Sequence, residues 1–347
     1  DELLYVSLGG FAGLFPQKAG LAIVDISNPE IMSIVGQWDS AAFNQGSAIV
    51  IVHNTTAFLG AMEKGVIAID VNESSNPAYI GNVIPDPNFP DVPGLFSTPN
   101  ARGMAMYGNN ILIVCYDHGG LRKIDVSNPA AMTETDKYMN WDIYNSAAPA
   151  YNNVVIKNDI AYVTVDYCGM DVVNLATDTM TNIFWYNPWN CAPDNWQDNP
   201  GHSNSIVISA DSNLLFMSGG DSELLVFDIT IPEEPKKVGA YAFPFDSIVA
   251  WSADVYENYV SLALVNNSIL GVPYYSNVGG VFLLEWSGVS ENINEIPDVE
   301  VRIYPNPADV NLFISSSDAT PLHMYAIKDI TGRILLSGNI SGKQLID

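Results

Sequence analysis

The sequence predicts an all-β protein: a six-bladed β-propeller of four-stranded blades, with a seventh blade left open, followed by a small β-sandwich domain. Three observations predict it. A short apolar motif ending in an acidic or amide residue recurs at the spacing of propeller blades. Runs rich in Val, Ile, Tyr and Phe fill the intervals, and 26 Gly with 21 Pro punctuate them at turn spacing. Helical periodicity is absent throughout.

The motif copies are "GLAIVDIS" (20–27), "GVIAIDVN" (65–72), "GGLRKIDVS" (119–127), "GMDVVNLA" (169–176), "ELLVFDIT" (223–230) and "GGVFLLEWS" (279–287). Their anchors, Asp25, Asp70, Asp125, Asn174, Asp228 and Glu285, fall 45 to 57 residues apart. Before most copies come two further apolar runs, such as "SAIVIV" then "TAFLGA". After the motif come a turn, often with Pro, and one more strand, such as "MSIVGQW". Each unit therefore reads as strands a to d. Several runs are apolar on both alternating faces, as strands sandwiched between stacked blades require. The first unit lacks its innermost strand and the sixth an evident outermost one; sequence before residue 1 would complete the ring or add a seventh blade.

"GLAIVDISNP" and "GLRKIDVSNP" resemble the LVIVD repeat of bacterial and archaeal cell-surface proteins, which implies a β-propeller blade. The resemblance spans residues 1 to about 288, and the propeller is assigned to 1–290. After a linker at 291–299 the pattern changes. "VRIYPNPADVNLFIS" (301–315) and "YAIKDITGRILLSG" (325–338) resemble the C-terminal sorting domain of proteins exported by the Bacteroidetes type IX secretion system. That resemblance implies a small β-sandwich over 300–347, the type IX secretion machinery as partner, and a secreted or outer-membrane cell-surface destination. The family's tail runs on through a Gly-x-Tyr strand, so a shortened sorting domain is expected here.

Thirteen basic residues stand against 39 acidic ones, a formal net charge of −26. A surface of that sign repels phosphate backbones and anionic lipid, which excludes nucleic acid as a partner. It suits either solubility in an extracytoplasmic setting or calcium binding. No run of 18 apolar residues is present to span a membrane. The chain opens directly on a strand, "DELLYVSLGG", as expected of a processed product. Of the three cysteines, Cys115 reads as a buried small hydrophobe. Cys168 and Cys191 lie in Gly/Pro-rich loop sequence, where an oxidising compartment permits a disulfide.

The anchor carboxylates sit at the end of strand c before Ser-Asn-Pro turns, where turn N–H groups are the expected donors. Function is better sought on the face formed by the d–a and b–c loops, which vary in length. The long d–a loops carry Phe89, Trp141, Tyr144, Trp189, Trp196 and His202. Aromatic faces beside polar groups suit sugar rings, although the same aromatics would also fold the loops onto the blade tops. On the b–c loops, Asp117, Asp166 and Asp221 are candidate calcium ligands. No catalytic-triad, phosphate-loop or zinc motif occurs. The expectation is a binding module for a glycan or surface protein; the alternatives are a polysaccharide hydrolase or lyase, or a structural component of a surface assembly.

Overall fold

The computed structural model describes residues 2–9, 17–91, 99–146, 150–189, 191, 202–210, 212–219, 223–242, 249–265 and 280–286, together with backbone strands at 301–304, 312–316, 323–328, 334–340 and 344–346. The chain divides into two units, Asp1–Trp286 and Ser287–Asp347.

The first unit is the propeller, all of whose sheets are antiparallel. Blade 1 has β1 (Leu3–Leu8), β2 (Ala19–Asp25) and β3 (Ser33–Ser40). Blade 2 has β4 (Ile49–His53), β5 (Thr56–Gly60), β6 (Val66–Asp70) and β7 (Ala78–Val83). Blade 3 has β8 (Met104–Tyr107), β9 (Ile111–Cys115), β10 (Leu121–Asp125) and β11 (Thr133–Tyr138), followed by the short helix α1 (Trp141–Ser146). Blade 4 has β12 (Tyr151–Lys157), β13 (Ile160–Val165), β14 (Met170–Asn174) and β15 (Thr181–Tyr186). Blade 5 has β16 (Ser205–Ile208), β17 (Leu214–Gly219), β18 (Glu223–Asp228) and β19 (Lys236–Ala242). Blade 6 has β20 (Val249–Tyr256), β21 (Tyr259–Val265) and β22 (Gly280–Glu285). Blades 2 to 5 are four-stranded in chain order, as expected. Blades 1 and 6 each show three strands among the described residues.

In the second unit, β23 (Val301–Tyr304), β24 (Leu312–Ser316) and β27 (Gln344–Ile346) form one sheet, and β25 (His323–Lys328) pairs with β26 (Ile334–Ile340).

The cores of the propeller lie between blades. Leu21, Ile23, Leu59, Ile67 and Ile69 bury together between blades 1 and 2, and Phe58, Leu112, Val114 and Ile124 do so between blades 2 and 3. The same packing recurs between blades 3 and 4, 4 and 5, and 5 and 6. At about 1.5–3 kcal/mol for each large side chain removed from water, these interfaces hold the blades together. Strand b of a middle blade touches a neighbour on both sides, which is why β13 and β17 are buried at nearly every position.

The anchor residues behave as the motif predicts. Asp25, Asp70, Asp125, Asn174 and Asp228 each accept a hydrogen bond from the backbone N–H two residues on, at 2.8–2.9 Å. This closes an Asx turn that an amide can make as well as a carboxylate. Hydrogen bonding from Ser27, Ser127 and Thr230 holds the carboxyls of Asp25, Asp125 and Asp228 below the ordinary carboxylate range. Glu285 departs: its longer side chain accepts from Asn258 Nδ2 at 3.1 Å instead. The backbone bond beside it survives, with Trp286 N–H donating to Asn258 O as its equivalents do in the other blades.

A bulge recurs where strand d meets strand c. The register slips by one residue between Ile23 and Val24, and at the corresponding points in blades 2 to 5. In blade 1 the bulge brings Gly36 against the Ser74 carbonyl of the next blade, where a Cβ would clash.

Candidate functional site

The innermost strands converge on a pocket of about 160 Å³ lined by Ala48, Ile49, Arg102, Gly103, Asn152, Asn153, Asn204 and Trp251. These residues stand at the start of strand a in blades 2 to 6, on the face of the d–a and b–c loops.

Backbone geometry puts them there. At four successive junctions an N–H approaching strand a donates to the end of strand b, or the turn after it, in the preceding blade. The pairs are Ser47 to Leu8 O (3.1 Å), Ala101 to Met62 O (3.0 Å), Tyr151 to Asp117 O (3.1 Å) and Ser203 to Asp166 O (2.9 Å). The next residue in each case is Ala48, Arg102, Asn152 or Asn204, all pocket residues. The accepting residues Met62, Asp117 and Asp166 adopt positive φ angles of 55°, 52° and 25°, so the turn presents its carbonyl to the neighbour. Bulges supply a second device. The β12–β13 register skips Asn152 and the β20–β21 register skips Trp251. A bulged residue leaves the ladder, which frees its side chain to be re-aimed. Gly103 completes the wall, because a Cβ there would collide with the backbone of Asn152 and Asn153.

The lining is polar and short of carboxylates. Asn152 Nδ2 donates to Ser203 O at 3.1 Å, which fixes the orientation of the amide. Its Oδ1 is buried with no hydrogen-bond partner. Arg102 Nη2 lies 3.5 Å from Asp117 Oδ2, longer than a close ion pair, and Asn100 Nδ2 donates to the same oxygen at 3.0 Å.

Two buried polar clusters lie outside the pocket lining. Asp171 is fully buried on β14 and accepts from Tyr138 Oη (3.0 Å), Tyr151 Oη (3.0 Å), Asn140 Nδ2 (3.1 Å) and Asn182 Nδ2 (2.6 Å). Burial pushes its pKa up to about 6 despite these four donors. Burial, with the Asp171 carboxylate nearby, also raises both tyrosines well above the ordinary range. Tyr151 directly precedes Asn152, so the cluster anchors the bulge. Arg122, also fully buried, donates to Glu134 Oε1 (2.7 Å), Gly119 O (2.9 Å) and Phe89 O (2.9 Å). Its guanidinium lies 4.9 Å from the centre of the Phe89 ring and 5.1 Å from that of Tyr116. Asp86 joins this cluster, donating its N–H to Glu134 and accepting from Lys137 Nζ at 2.6 Å. The Lys137 hydrogen bond holds its carboxyl below the ordinary range.

The loop residues read from the sequence are partly gathered. Phe89, Trp141 and Tyr144 meet edge to face, with centroids 6.4 and 5.6 Å apart, and Trp141 is half exposed on α1. Phe89 serves the fold, since its ring covers Arg122 and Lys137. Trp189 belongs to a different cluster, packed between blades 4 and 5 beside Gly219. His202 is buried, with Nδ1 2.5 Å from Asp166 Oδ1. Asp117 and Asp166 are thus each taken by side chains of their own surroundings. Among the described residues no three His, Cys, Asp or Glu side chains form a metal-binding group. Trp196 and Asp221 lie outside the described residues. Cys168 and Cys191 form a disulfide, and Cys115 is a buried free thiol. No helix among the described residues is long and apolar enough to cross a membrane.

The sequence reading missed Arg102, Asn152, Asn204 and Trp251. Arg102, Asn152 and Asn204 are polar residues at the start of strand a, a position seen as equivalent only when the repeats are aligned on that strand rather than on the anchor; Trp251 sits within an apolar run and carries no such mark.

Comparison with known proteins agrees with the fold. A crystal structure of a Lactobacillus plantarum protein matches with a TM-score of 0.57 and 13% identity, over 100% of this chain and 85% of that one. The periplasmic gluconolactonase of Pseudomonas aeruginosa matches with a TM-score of 0.56 and 12% identity, also over 100% and 85%. A β-propeller domain from Myceliophteria thermophila matches with a TM-score of 0.53 and 10% identity, over 90% and 96%. At such identities the likeness is one of fold alone. No curated protein matches the sequence. The LVIVD repeat matches residues 8–40 and 100–140, spanning the anchors Asp25 and Asp125. The chain is accordingly a β-propeller that carries LVIVD repeats.

Proposed function

We propose that this protein is an extracytoplasmic binding module that seats a small polar ligand in the axial pocket of its propeller. One observation carries the reading. Five blades deliver Ala48, Arg102, Asn152, Asn204 and Trp251 to one concavity, two of them at bulges in strand a. A replacement that fills the pocket without removing a fold contact tests it. Ala48 is exposed, so Ala48→Phe is expected to leave the melting temperature unchanged while abolishing the binding of any ligand found by calorimetric screening. A ligand that binds Ala48→Phe as tightly as the wild type would place the site elsewhere.

Secretion through a type IX system to the cell surface belongs to the same proposal. It is supported by the likeness of residues 301–338 to a sorting domain and by the Cys168–Cys191 disulfide, which calls for an oxidising compartment. A fusion of residues 300–347 to a periplasmic reporter, expressed in a type IX-competent bacterium, is expected to reach the surface; retention in the periplasm would show that these residues by themselves are not a sorting signal. The disulfide closes a separation of 23 residues. Replacing both cysteines by serine is expected to cost about 2–4 kcal/mol in denaturant unfolding.

A further inference from the structure

We infer that the outer edge of blade 6 docks an extended β-strand of a partner polypeptide, which pairs antiparallel with β22 and completes the blade as its strand d. That strand is basic at its start and carries Val or Ile, then Gly, then an aromatic residue two positions further on.

The first argument is the edge. Strand c is flanked by strand d in blades 1 to 5, whereas β22 ends its sheet among the described residues. Its sequence, GVFLLE, has no Pro or Lys to blunt an unpaired row of N–H and C=O groups, and such an edge is a template for another strand. Val281 is 74% exposed, yet Leu21, Val66, Leu121, Met170 and Leu224, each likewise four residues before its anchor, are at most 3% exposed. Those five lie opposite Trp38, Val83, Tyr138, Tyr186 and Tyr241 of strand d, which cover them as cross-strand neighbours. The next blade gives the second argument. The residue just before strand d, Pro77, Met132, Met180 or Pro235, is buried in blades 2 to 5. Three of these meet strand d of the preceding blade: Pro77 abuts Gly36, Met132 clusters with Ile80 and Val83, and Met180 N–H donates to Asp136 Oδ2 at 2.6 Å. Blade 1 has Met32 at this position, 59% exposed, and blade 6 is the blade before it in the ring. A strand added to β22 therefore touches both blades.

The chain's own outer strands give the chemistry of the occupant. In β3, β7 and β19 the bulged residue is Val35, Ile80 or Val238, and the Gly after it, Gly36, Gly81 or Gly239, faces the residue two before the anchor. Two positions further on come Trp38, Val83 and Tyr241. The same register on β22 sets the Gly opposite Leu283, itself 68% exposed, and the large residue opposite Val281. The first residue of the added strand then faces Glu285, as Lys236 faces Asp228 in blade 5. A net charge of −26 favours a basic residue there, and the same charge opposes a second copy of this chain as the occupant.

The test is binding of a labelled peptide, KKVGAYA, the sequence of β19, to the full chain, followed by fluorescence anisotropy. Saturable binding is expected. Val281→Lys, a change at an exposed position that leaves the melting temperature unaltered, is expected to weaken it about 10-fold or more. A second arm needs no protein variant. Methylating the N–H of alternate peptide residues can be done in two phases; the phase that faces β22 is expected to abolish binding and the other to leave it intact. Replacing the first two Lys of the peptide by Glu is expected to weaken binding, most of all at low salt. No saturation up to about 1 mM, or equal effects of the two methylation phases, would overturn strand docking. Undiminished binding to Val281→Lys would place the peptide elsewhere and overturn it as well. Equal binding of the Glu peptide would overturn the basic character of the partner. A chain that sediments as a dimer and becomes monomeric in Val281→Lys would overturn the partner in favour of a second copy.

Discussion

Replacing Asp171 by Ala is expected to destabilise the propeller by about 4 kcal/mol or more, because four buried donors lose their acceptor at about 1–3 kcal/mol each. At about 2–4 °C per kcal/mol, calorimetry should register a fall of roughly 10 °C. Asp171→Asn keeps the shape and removes the titration. The folded pKa of Asp171, about 6, lies above the ordinary 3.8, so folding favours the protonated form. Its contribution to stability is therefore fully present below about pH 4 and lost as the pH rises through 6. The stability of the wild type relative to Asp171→Asn should decline over that window by about 3 kcal/mol, at about 1.4 kcal/mol per pKa unit. A difference that is flat with pH would show that the four donors hold Asp171 ionised throughout.

Arg122→Met should cost about 3–5 kcal/mol, since it leaves Glu134 and the carbonyls of Gly119 and Phe89 without their buried donor. The loop at 84–91 is tied to the blade through this cluster, so limited proteolysis should cut it faster in the variant. Adding Glu134→Gln should recover part of the loss by removing the stranded charge, as measured by a double-mutant cycle. If the single variant unfolds at the wild-type denaturant concentration, the cluster contributes nothing net.

The legibility of the sequence followed the range of each interaction. The Asx turns were readable because Asp25 and Ser27, or Asp125 and Ser127, are two residues apart and the turn lies within the motif. The blade order followed from the anchor spacing, and the apolar runs gave the two-sided burial of β13 and β17. Asp117 and Asp166 were rightly placed at equivalent turns, but their partners come from segments with no shared pattern: Asn100 and Arg102 for one, His202 for the other. Equivalence of position did not carry equivalence of role. Nothing local to Phe89 announces that Arg122, 33 residues on, donates to its carbonyl beneath its ring. Bulges are defined by pairing between strands, so the outward turn of Asn152 and Trp251 has no signature within either strand.

The junction bonds from Ser47, Ala101, Tyr151 and Ser203 use only backbone atoms, and the residues they position at 48, 102, 152 and 204 take no part in them. Each blade thus offers a socket whose location is inherited from the fold and whose occupant is not. A chain built this way can change what it recognises one residue at a time, with the ring left intact, and related propellers should differ more at these four sockets than at the anchors between them.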